Sequence, residues 1–330
     1  MKAKALVLPP ESRLQEVCSD ACRALLEREF EPVWNETGRD YKAEELFDLV
    51  REAEVILTSW GSPALTEAML ERAPGLRAVG HAAGTVKSLV PRGIFARGVR
   101  VHSGAPRIAA SVGEFCLAAM LACLRRLPEF GGGMRAGGWK IPGLKGRELA
   151  GSKVGIVSAS STARALIRLL APFGVDAVVY DPYLTAEAAA GLGVRTGTLA
   201  EVMACPVISV HAPNLPATEG ILTAELLARI PDGAVLVNSS RGSVFDEQAL
   251  MAELQSGRFT AALDVFAREP LAADSPLRTL PNVLLTPHIA GATVEGHLAL
   301  MEAVAADIVR GLAGEPTAYE VNERMWDVMA

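Results

Sequence analysis

The chain has 330 residues, of which half are hydrophobic and 5% aromatic, and its 32 basic and 38 acidic side chains give a net charge of −6. This length allows two domains of ordinary size, and the absence of a basic stripe argues against a nucleic-acid partner. The first apolar run is too short for a signal peptide and no uninterrupted apolar stretch reaches membrane-spanning length, so we expect a cytoplasmic protein without a membrane partner.

Short apolar strands alternate with helical patterns along the first third of the chain. The strands are predicted at residues 4–8, 54–59, 76–81 and 98–104, and the helices at 11–29, 42–53 and 65–73. A long helix over about 109–128 follows, and then a segment rich in glycine and proline, 128–153, which we expect to be a surface loop packed down by Trp139.

A second alternating series begins at residue 153. Its predicted strands are residues 153–158, 176–181, 206–211, 234–239, 260–265 and 283–288, and a long helix over about 293–311 precedes an irregular tail. Strands separated by helices imply right-handed crossovers and parallel sheets. We therefore predict an α/β protein with two domains and a binding site at the carboxyl ends of the strands.

The stretch "KVGIVSASSTARALIRLLAPFGVDAVVYDP", residues 153–182, has the outline of a dinucleotide-binding strand, turn and helix. Its three glycine positions hold Ser158, Ser160 and Ala163 instead. Glycine permits the tight turn, the approach of the pyrophosphate and close helix packing, so the replacements are expected to weaken binding rather than abolish it. The hydroxyl of Ser160 and the free N–H groups of the helix start, around Ser161 and Thr162, can still attract phosphate.

Asp181 ends the second strand, where an acid would accept hydrogen bonds from an adenosine ribose and repel a 2′-phosphate. This position favours NAD over NADP as the cofactor. An ordinary strand–helix–strand unit with a capping Asp181 before Pro182 is the alternative interpretation of the same residues. The five cysteines form no metal-binding pattern, because no histidine accompanies Cys18 and Cys22, and no metal site is predicted.

Three motifs resolve this choice: "VNSSRGSVFDEQAL", "ALDVFAREPL" and "LPNVLLTPHIAGAT" occur in that order. Together they resemble the D-isomer-specific 2-hydroxyacid dehydrogenase family, over about Leu76 to Gly311. The resemblance implies two Rossmann-like domains with parallel sheets. A cofactor domain, residues 104–292, would be inserted into a flavodoxin-like substrate domain, residues 1–103 and 293–330. It also implies a homodimer joined through the cofactor domain, to which the apolar helix 109–128 could contribute.

By this resemblance, Arg241 would grip the substrate's carboxylate and carbonyl oxygen, His288 would be the acid/base, and Glu269 would pair with His288. The residue types suit the chemistry, because guanidinium binds carboxylate in a planar fork and histidine exchanges protons near neutral pH. Each residue also has an ordinary interpretation: a solvated loop arginine, a cap before Pro270 and a histidine at a strand end.

The resemblance implies further contacts in both domains. The loop "GHAAGT" would hold the substrate carboxylate with its backbone N–H groups, although a simple strand–helix turn is the alternative. Asp264 would bond the nicotinamide amide. The other cofactor contacts would be Ser239, Ser240, Arg241, His288, His211 and Pro213, and the substrate loop would be Ala82, Ala83 and Gly84. His102 and His297 are interpreted as structural.

The resulting hypothesis is an NAD-dependent oxidoreductase that transfers a hydride between nicotinamide and C2 of a D-2-hydroxy acid or 2-keto acid. The alternative is a non-catalytic relative that senses a dinucleotide or binds a protein, which the eroded glycine motif would suit. The sequence also departs from the family at Arg107-Ile108, where an asparagine is frequent, and at Arg268, where an acid is usual.

Overall fold

A computed structural model describes residues 2–329. The chain forms two compact units, each with its own sheet. Unit 1 comprises the residues up to Ile108 together with those from Ala292 onwards, and unit 2 comprises Ala109–Gly291. Unit 2 is therefore inserted into the sequence of unit 1, and its limits of 109 and 291 compare with 104 and 292 in the sequence analysis.

The elements follow one another as an almost regular alternation of strand and helix. The strands are β1 (Ala3–Pro10), β2 (Phe30–Asn35), β3 (Val55–Thr58), β4 (Ala78–His81), β5 (Arg100–Ser103), β6 (Lys153–Val157), β7 (Asp176–Tyr180), β8 (Arg195–Thr196), β9 (Val207–Val210), β10 (Val235–Asn238), β11 (Thr260–Leu263), β12 (Val283–Leu285) and β13 (Glu320–Val321). The helices are α1 (Glu11–Val17), α2 (Asp20–Glu29), α3 (Ala43–Leu49), α4 (Glu67–Arg72), α5 (Ala105–Leu124), α6 (Leu127–Arg135), α7 (Ser161–Leu170), α8 (Ala186–Gly191), α9 (Leu199–Met203), α10 (Ala224–Leu227), α11 (Glu247–Gln255), α12 (Val294–Leu298), α13 (Leu300–Leu312) and α14 (Glu323–Val328).

Unit 1 has a six-stranded sheet in the order β2-β1-β3-β4-β5-β13. The first five strands are parallel and have the flavodoxin-like order, and β13 is antiparallel to β5. Helices cover both faces, so the central strands are buried throughout, as in β3 and β4, and most of their residues are apolar. The flavodoxin-like architecture predicted for this part of the chain is confirmed.

Three features of unit 1 differ from the sequence analysis. The predicted helix 11–29 is broken at Cys18, whose extended backbone lets the Ser19 hydroxyl cap α2 by accepting from the N–H of Cys22. The strand β2 was missed because it follows α2 directly and contains Pro32, which suits an edge strand. The tail expected to be irregular contains β13 and α14.

Unit 2 has a seven-stranded sheet in the order β12-β11-β10-β9-β6-β7-β8, and every neighbouring pair is parallel. The switch of direction in strand order lies beside β6, so the turn after β6 is at the point where such sheets bind ligands. All six strands predicted for this part of the chain are present, and the short edge strand β8 was missed. The predicted Rossmann-like architecture is confirmed.

The helix α5 begins at Ala105 and ends at Leu124, so it starts and ends a few residues before the predicted 109–128. By length and composition it could cross a membrane, but Arg107 and Glu114 interrupt its apolar residues, so the expectation that no uninterrupted apolar stretch has that length is not contradicted. Half of its most apolar window is buried inside the protein. Gly113 lies so close to α7 that a Cβ would be 3.0 Å from that of Ala165, which is the packing of a core helix.

The predicted loop 128–153 begins with a further helix, α6, although it contains three consecutive glycines. Pro128 in the first turn favours a helix start. None of the residues of α6 is buried, and Leu127 and Met134 are 58% and 49% exposed. Trp139 is 72% exposed, so the expectation that it packs the loop down is wrong.

Candidate active site

Three neighbouring strands of unit 2 bring the predicted catalytic residues to one edge of the sheet. Arg241 follows β10 by three residues, Glu269 follows β11 by six, and His288 follows β12 by three. Because β10, β11 and β12 are parallel neighbours, their carboxyl ends lie side by side. The three residues, which belong to separate motifs in the sequence, therefore lie at the one edge where parallel sheets bind ligands.

His288 and Glu269 form a direct pair. The imidazole Nδ1 lies 2.7 Å from Glu269 Oε2, and the N–H of Phe266 donates to Oε1 at 3.0 Å. Partial burial opposes ionisation of Glu269, but the hydrogen bonds from His288 and Phe266 outweigh it, and the charge of Arg241 adds to them, so the pKa of Glu269 lies below its ordinary value. An ionised carboxylate only accepts, so Nδ1 carries the imidazole proton, and Nε2 has no hydrogen-bond partner among residues 2–329.

The backbone of His288 is held in the left-handed region, with φ 55°. Asp264 at the end of β11 supports this conformation: its carbonyl accepts from the N–H of His288 at 2.8 Å, and its carboxylate accepts from the N–H groups of Ile289 and Ala290 at 2.8 and 2.9 Å. The Thr286 hydroxyl donates to Oδ1 at 2.6 Å. Non-glycine residues persist in such a conformation only where the surroundings fix it.

Asp264 therefore positions the segment that carries His288, the predicted acid/base. Its side chain is completely buried, and three donors occupy its carboxylate. A direct bond to the nicotinamide amide is not prepared in this conformation and stays a prediction. The role in holding His288 was not anticipated from the sequence, which shows only an acid after an apolar strand.

Arg241 is presented by a tight turn built on Asn238. The Asn238 amide donates to the carbonyl of Arg241 at 3.0 Å, and its Oδ1 accepts from the N–H and hydroxyl of Ser240 at 3.0 and 2.8 Å. The guanidinium makes one bond among the described residues, from Nη1 to the carbonyl of Ser240 at 2.7 Å. Most of its donors are thus available for an anionic ligand.

Gly242 is a functional position that sequence reasoning missed. A Cβ at this residue would lie 2.0 Å from the carbonyl carbon of Phe266 and 2.1 Å from the nitrogen of Ala267. Only glycine therefore lets the Arg241 turn approach the backbone that leads to Glu269. The Arg241-Gly242 pair in the motif was the signal available in the sequence. The reason for the glycine is the close approach to the segment at Phe266, which only the structure shows.

Cys116 of α5 lies beneath the same turn. Its Sγ is 3.0 Å from the Ser239 hydroxyl oxygen, so the predicted cofactor residue Ser239 is engaged from inside the domain. Burial raises the pKa of the Cys116 thiol to about 11, which keeps it a neutral packing residue. All five cysteines are free and buried.

The serine-rich turn after β6 adopts the backbone of a glycine turn. Ser158 has φ 72°, the left-handed conformation that its glycine counterpart would take readily. Ser160 caps α7, its hydroxyl accepting from the N–H of Ala163, and Ala163 is completely buried against the sheet. The N–H groups of Ser161 and Thr162 have no partner among residues 2–329. The turn therefore retains the free donors that a diphosphate requires, and its residues fit a dinucleotide.

Asp181 points into that turn. Its Oδ2 accepts from the N–H of Ala159 at 2.8 Å and from the Ser158 hydroxyl at 3.2 Å, and Oδ1 accepts from the N–H of Tyr183 at 2.8 Å. The carboxylate thus has hydrogen-bond partners in neighbouring backbone, as the alternative interpretation expects. Oδ1 can still accept a hydrogen bond from a ribose hydroxyl. The predicted contact of Asp181 with the ribose stays a prediction.

The His211 ring is buried inside unit 2, and the expectation that His211 and Pro213 border the adenosine side stays a prediction. It is 4% exposed, and Nε2 lies 2.9 Å from the Ser209 hydroxyl. Burial lowers the pKa of His211 to about 4, so the ring is neutral at pH 7. Pro213, two residues further, is partly exposed and remains the candidate for lining that side.

The loop Ala82–Gly84 of unit 1 is held by its carbonyl groups. The Ser59 hydroxyl donates to the carbonyl of Ala82 at 3.0 Å, and the Ser103 hydroxyl donates to that of Gly84. The N–H groups of Ala83 and Gly84 have no partner in the part of the chain that the structure describes. This is the arrangement that binding a carboxylate through backbone amides requires.

The sequence profile described as "D-isomer specific 2-hydroxyacid dehydrogenase, NAD binding domain" matches residues 117–290, more than half of the chain. The chain is 34% identical to D-3-phosphoglycerate dehydrogenase of Mycobacterium bovis over 281 residues, covering 84% of this chain and 53% of that protein. The enzyme of the same name from Methanocaldococcus jannaschii is 32% identical over 282 residues, with the same coverage. The chain spans about half the length of these relatives.

Solved structures show the same fold. A phosphoglycerate oxidoreductase from Rhizobium etli superposes with a TM-score of 0.83 at 29% identity, covering 96% of this chain and 97% of that one. D-mandelate dehydrogenase from Rhodotorula graminis superposes with a TM-score of 0.81 at 21% identity, covering 98% of each chain. The second similarity concerns the fold alone.

Proposed function

The chain belongs to the D-isomer-specific 2-hydroxyacid dehydrogenase family, and we propose that it is an NAD-dependent oxidoreductase that transfers a hydride between nicotinamide and C2 of a D-2-hydroxy acid or 2-keto acid. The observation that carries this proposal is the 2.7 Å pair of His288 with Glu269. It lies at the sheet edge that also carries Arg241, and a purely binding protein has no need of an oriented acid/base.

Reduction of a 2-keto acid requires a hydride at C2 and a proton at the C2 oxygen. Bound NADH supplies the hydride. In the proposed mechanism the protonated His288 gives the proton from Nε2, while ionised Glu269 fixes the ring through Nδ1 and stabilises its positive charge. Arg241 binds the substrate carboxylate with the donors that its own turn leaves free. In oxidation, neutral His288 accepts the proton.

The N–H groups of Ala83 and Gly84 in unit 1 are proposed to bind a substrate carboxylate. Their carbonyls are tied to Ser59 and Ser103, so the peptide planes are fixed before a ligand arrives. Fixed donors lose little entropy on binding. Small residues at Ala82–Gly84 suit close approach of a carboxylate to the backbone, and of the three Gly84 is partly exposed whereas Ala82 and Ala83 are buried.

For the cofactor, we propose that the N–H groups of Ser161 and Thr162 bind the pyrophosphate and that Asp181 Oδ1 accepts a ribose hydroxyl. The dipole of the ten-residue helix α7 adds attraction for the phosphates. Ser239, Ser240 and Pro213 are proposed to line the remainder of the site. An acid at position 181 disfavours a 2′-phosphate, which favours NAD over NADP.

A titration with NADH followed by oxidation assays tests the proposal. Binding would be measured by fluorescence, and turnover by loss of NADH with pyruvate, phenylpyruvate and the 2-keto acid related to 3-phosphoglycerate, which is included because of the relatives' names. We expect binding and oxidation with at least one acid. The Arg241→Lys variant should raise KM for that acid, because the ammonium cannot make the bidentate contact.

One observation favours a second function, a non-catalytic sensor of dinucleotides. The turn after β6 contains no glycine, and Ser158 has a left-handed φ; a relative that no longer turns over a substrate would tolerate such an altered cofactor turn. Binding of NADH without oxidation by any acid of the panel would support the sensor. The assembled His288, Glu269 and Arg241 favour the enzyme.

We also propose a homodimer formed through unit 2. The helix α6 buries none of its residues, and large apolar side chains are exposed along it and just after it: Leu127, Met134, Trp139 and Ile141. Association with a second copy would remove this apolar surface from water. Sedimentation should give twice the chain mass, and Met134→Asp with Trp139→Ala should give monomers. The five buried free cysteines suit the reducing cytoplasm, which is the proposed compartment.

A further inference from the structure

Ser158 occupies a conformation that its own residue type disfavours. Its φ of 72° lies in the left-handed region, where an L-residue other than glycine crowds its Cβ against the backbone. Within residues 2–329, Arg126 and His288 are the only other non-glycine residues there. His288 is held in place by Asp264, so a comparable support is expected beside Ser158.

That support is Asp181. One carboxylate oxygen, Oδ2, accepts both from the Ser158 hydroxyl at 3.2 Å and from the N–H of Ala159 at 2.8 Å. The first donor is the side chain of the strained residue, and the second belongs to the peptide group that joins this residue to the rest of the turn. The N–H of Ser158 in turn donates to the carbonyl of Tyr180, next to Asp181, at 2.7 Å. The end of β7 therefore clamps the turn at three points.

We propose that Asp181 is a positioning residue for the dinucleotide turn. Its carboxylate holds Ser158 in the left-handed conformation, so that serine takes the place of the first glycine of the motif. This inference rests on the proposed cofactor binding but concerns a different task from recognition of the ribose. Ser158 and Asp181 form a unit, because serine supplies the hydroxyl that glycine lacks and Asp181 supplies its acceptor. The free N–H groups of Ser161 and Thr162 keep their direction only while this unit is intact.

The two roles of Asp181 make different predictions. A carboxylate that only accepts ribose hydroxyls matters equally whether residue 158 is serine or glycine, and its loss should improve NADPH relative to NADH. A carboxylate that holds the turn matters mainly when residue 158 is serine. Its loss should then weaken the binding of NADH and of NADPH by the same factor, because both cofactors contain the pyrophosphate.

A double-mutant cycle of Asp181→Ala and Ser158→Gly separates these roles. Dissociation constants for NADH and NADPH would be measured by fluorescence, with the KM for NADH and kcat beside them. Removing Asp181 should weaken binding about tenfold more in the wild-type background than in the Ser158→Gly background, since a left-handed non-glycine residue costs roughly that factor. KM should carry the effect while kcat changes little. The bond to Tyr183 is lost in both backgrounds and cancels.

Ser160→Gly is the matched control. Ser160 lies in the same turn and caps α7, but its φ is −58° and it makes no bond to Asp181. Its substitution should not reduce the effect of Asp181→Ala. If Asp181→Ala does not fold, Asp181→Asn, which retains one acceptor oxygen, takes its place in the cycle.

The same double-mutant cycle can be measured without any ligand, as the midpoint of thermal unfolding of the cofactor-free variants. The loss of Asp181 should lower the midpoint more in the wild-type background than in the Ser158→Gly background. If neither NADH nor NADPH binds to the wild type, the proposed function fails, and the midpoints alone decide the positioning role. Additive effects in both midpoints and dissociation constants, or equal coupling with Ser160→Gly, would overturn it.

Discussion

The imidazole Nδ1 of His288 lies 2.7 Å from Oε2 of Glu269, with the ring 52% and the carboxylate 36% exposed. The pair is thus oriented by the protein and open to a ligand. Both residues leave the carboxyl ends of adjacent parallel strands, and the second oxygen of Glu269 is fixed by the N–H of Phe266. The consequences of this arrangement can be measured.

Glu269→Gln should lower kcat at every pH at which the protein folds. The amide is uncharged and cannot stabilise the imidazolium, and we expect a loss of about 10- to 100-fold for an oriented acid/base. The pKa of Glu269 lies below 4.5, so the wild-type carboxylate stays ionised above about pH 5. The wild-type rate should therefore exceed the variant rate throughout the range from there to about pH 8. Equal rates of the two proteins within this range would contradict the assignment.

Asp264→Asn should loosen the His288 segment. The NH2 group of the asparagine would face the N–H group of Ile289 or Ala290, where the carboxylate supplies an acceptor. Losing a buried charged acceptor costs about 2–3 kcal/mol. Both the free energy of unfolding and kcat should fall. Asp246→Asn is the control, because Asp246 only caps α11 and asparagine caps equally well. Equal effects of the two substitutions would refute the positioning role.

Gly242→Ala should disrupt the approach of the Arg241 turn to the Glu269 segment. A Cβ placed 2.0 Å from the carbonyl carbon of Phe266 forces backbone to move, which costs about 3 kcal/mol. Chemical denaturation should show the loss of stability, and KM for the keto acid should rise. Gly191→Ala, at a helical glycine with open space around its Cβ position, should be neutral or stabilising by up to about 1 kcal/mol. A tolerated Gly242→Ala would show that the two segments do not need this contact.

Buried histidines should make the protein less stable in acid. Burial lowers the pKa of His81 and of His211 to about 4 from 6.5. Between these values the unfolded chain binds protons that the folded chain does not, so stability is complete above pH 6.5 and falls as the pH decreases toward 4. Each residue should contribute a loss on the order of 3 kcal/mol.

Urea denaturation at about pH 7 and pH 5 measures this dependence. His211→Gln should reduce the difference between the two values because glutamine does not titrate. Ser209→Ala removes the hydroxyl partner of His211 but keeps the ring, and should retain the dependence. An unchanged difference in His211→Gln would show that His211 titrates alike in both states.

Much of the fold was predictable from the sequence, because buried parallel strands are continuous apolar runs, as β3 and β6 show. The family was also recognisable from three motifs. The helix α6 was not predictable, since three consecutive glycines argue against a helix and only the complete backbone shows one. The edge strand β2 was missed because its proline and its position directly after α2 conceal its end.

The site was predictable in its residue types but not in its supports. The order of Arg241, Glu269 and His288 indicated the reaction, and their strands place them at one edge. The supporting roles of Asp264 and Cys116 depend on contacts between segments far apart in the chain. The burial of His211 likewise follows from packing that a strand-end histidine does not reveal. The missing glycine raises the question of which backbone conformation Ser158 adopts. The sequence alone does not show that its φ is left-handed.

Transfer of deuterium tests the central claim most directly. The protein would be incubated with NADH deuterated at C4 on either face and with the keto acid that gives the fastest turnover, and the product would be analysed for label and configuration. We expect deuterium at C2 of the D-hydroxy acid from one face only, and a rate reduced about 10²- to 10⁴-fold in His288→Ala with NADH still bound. An L-configured product, or full turnover by His288→Ala, would contradict it.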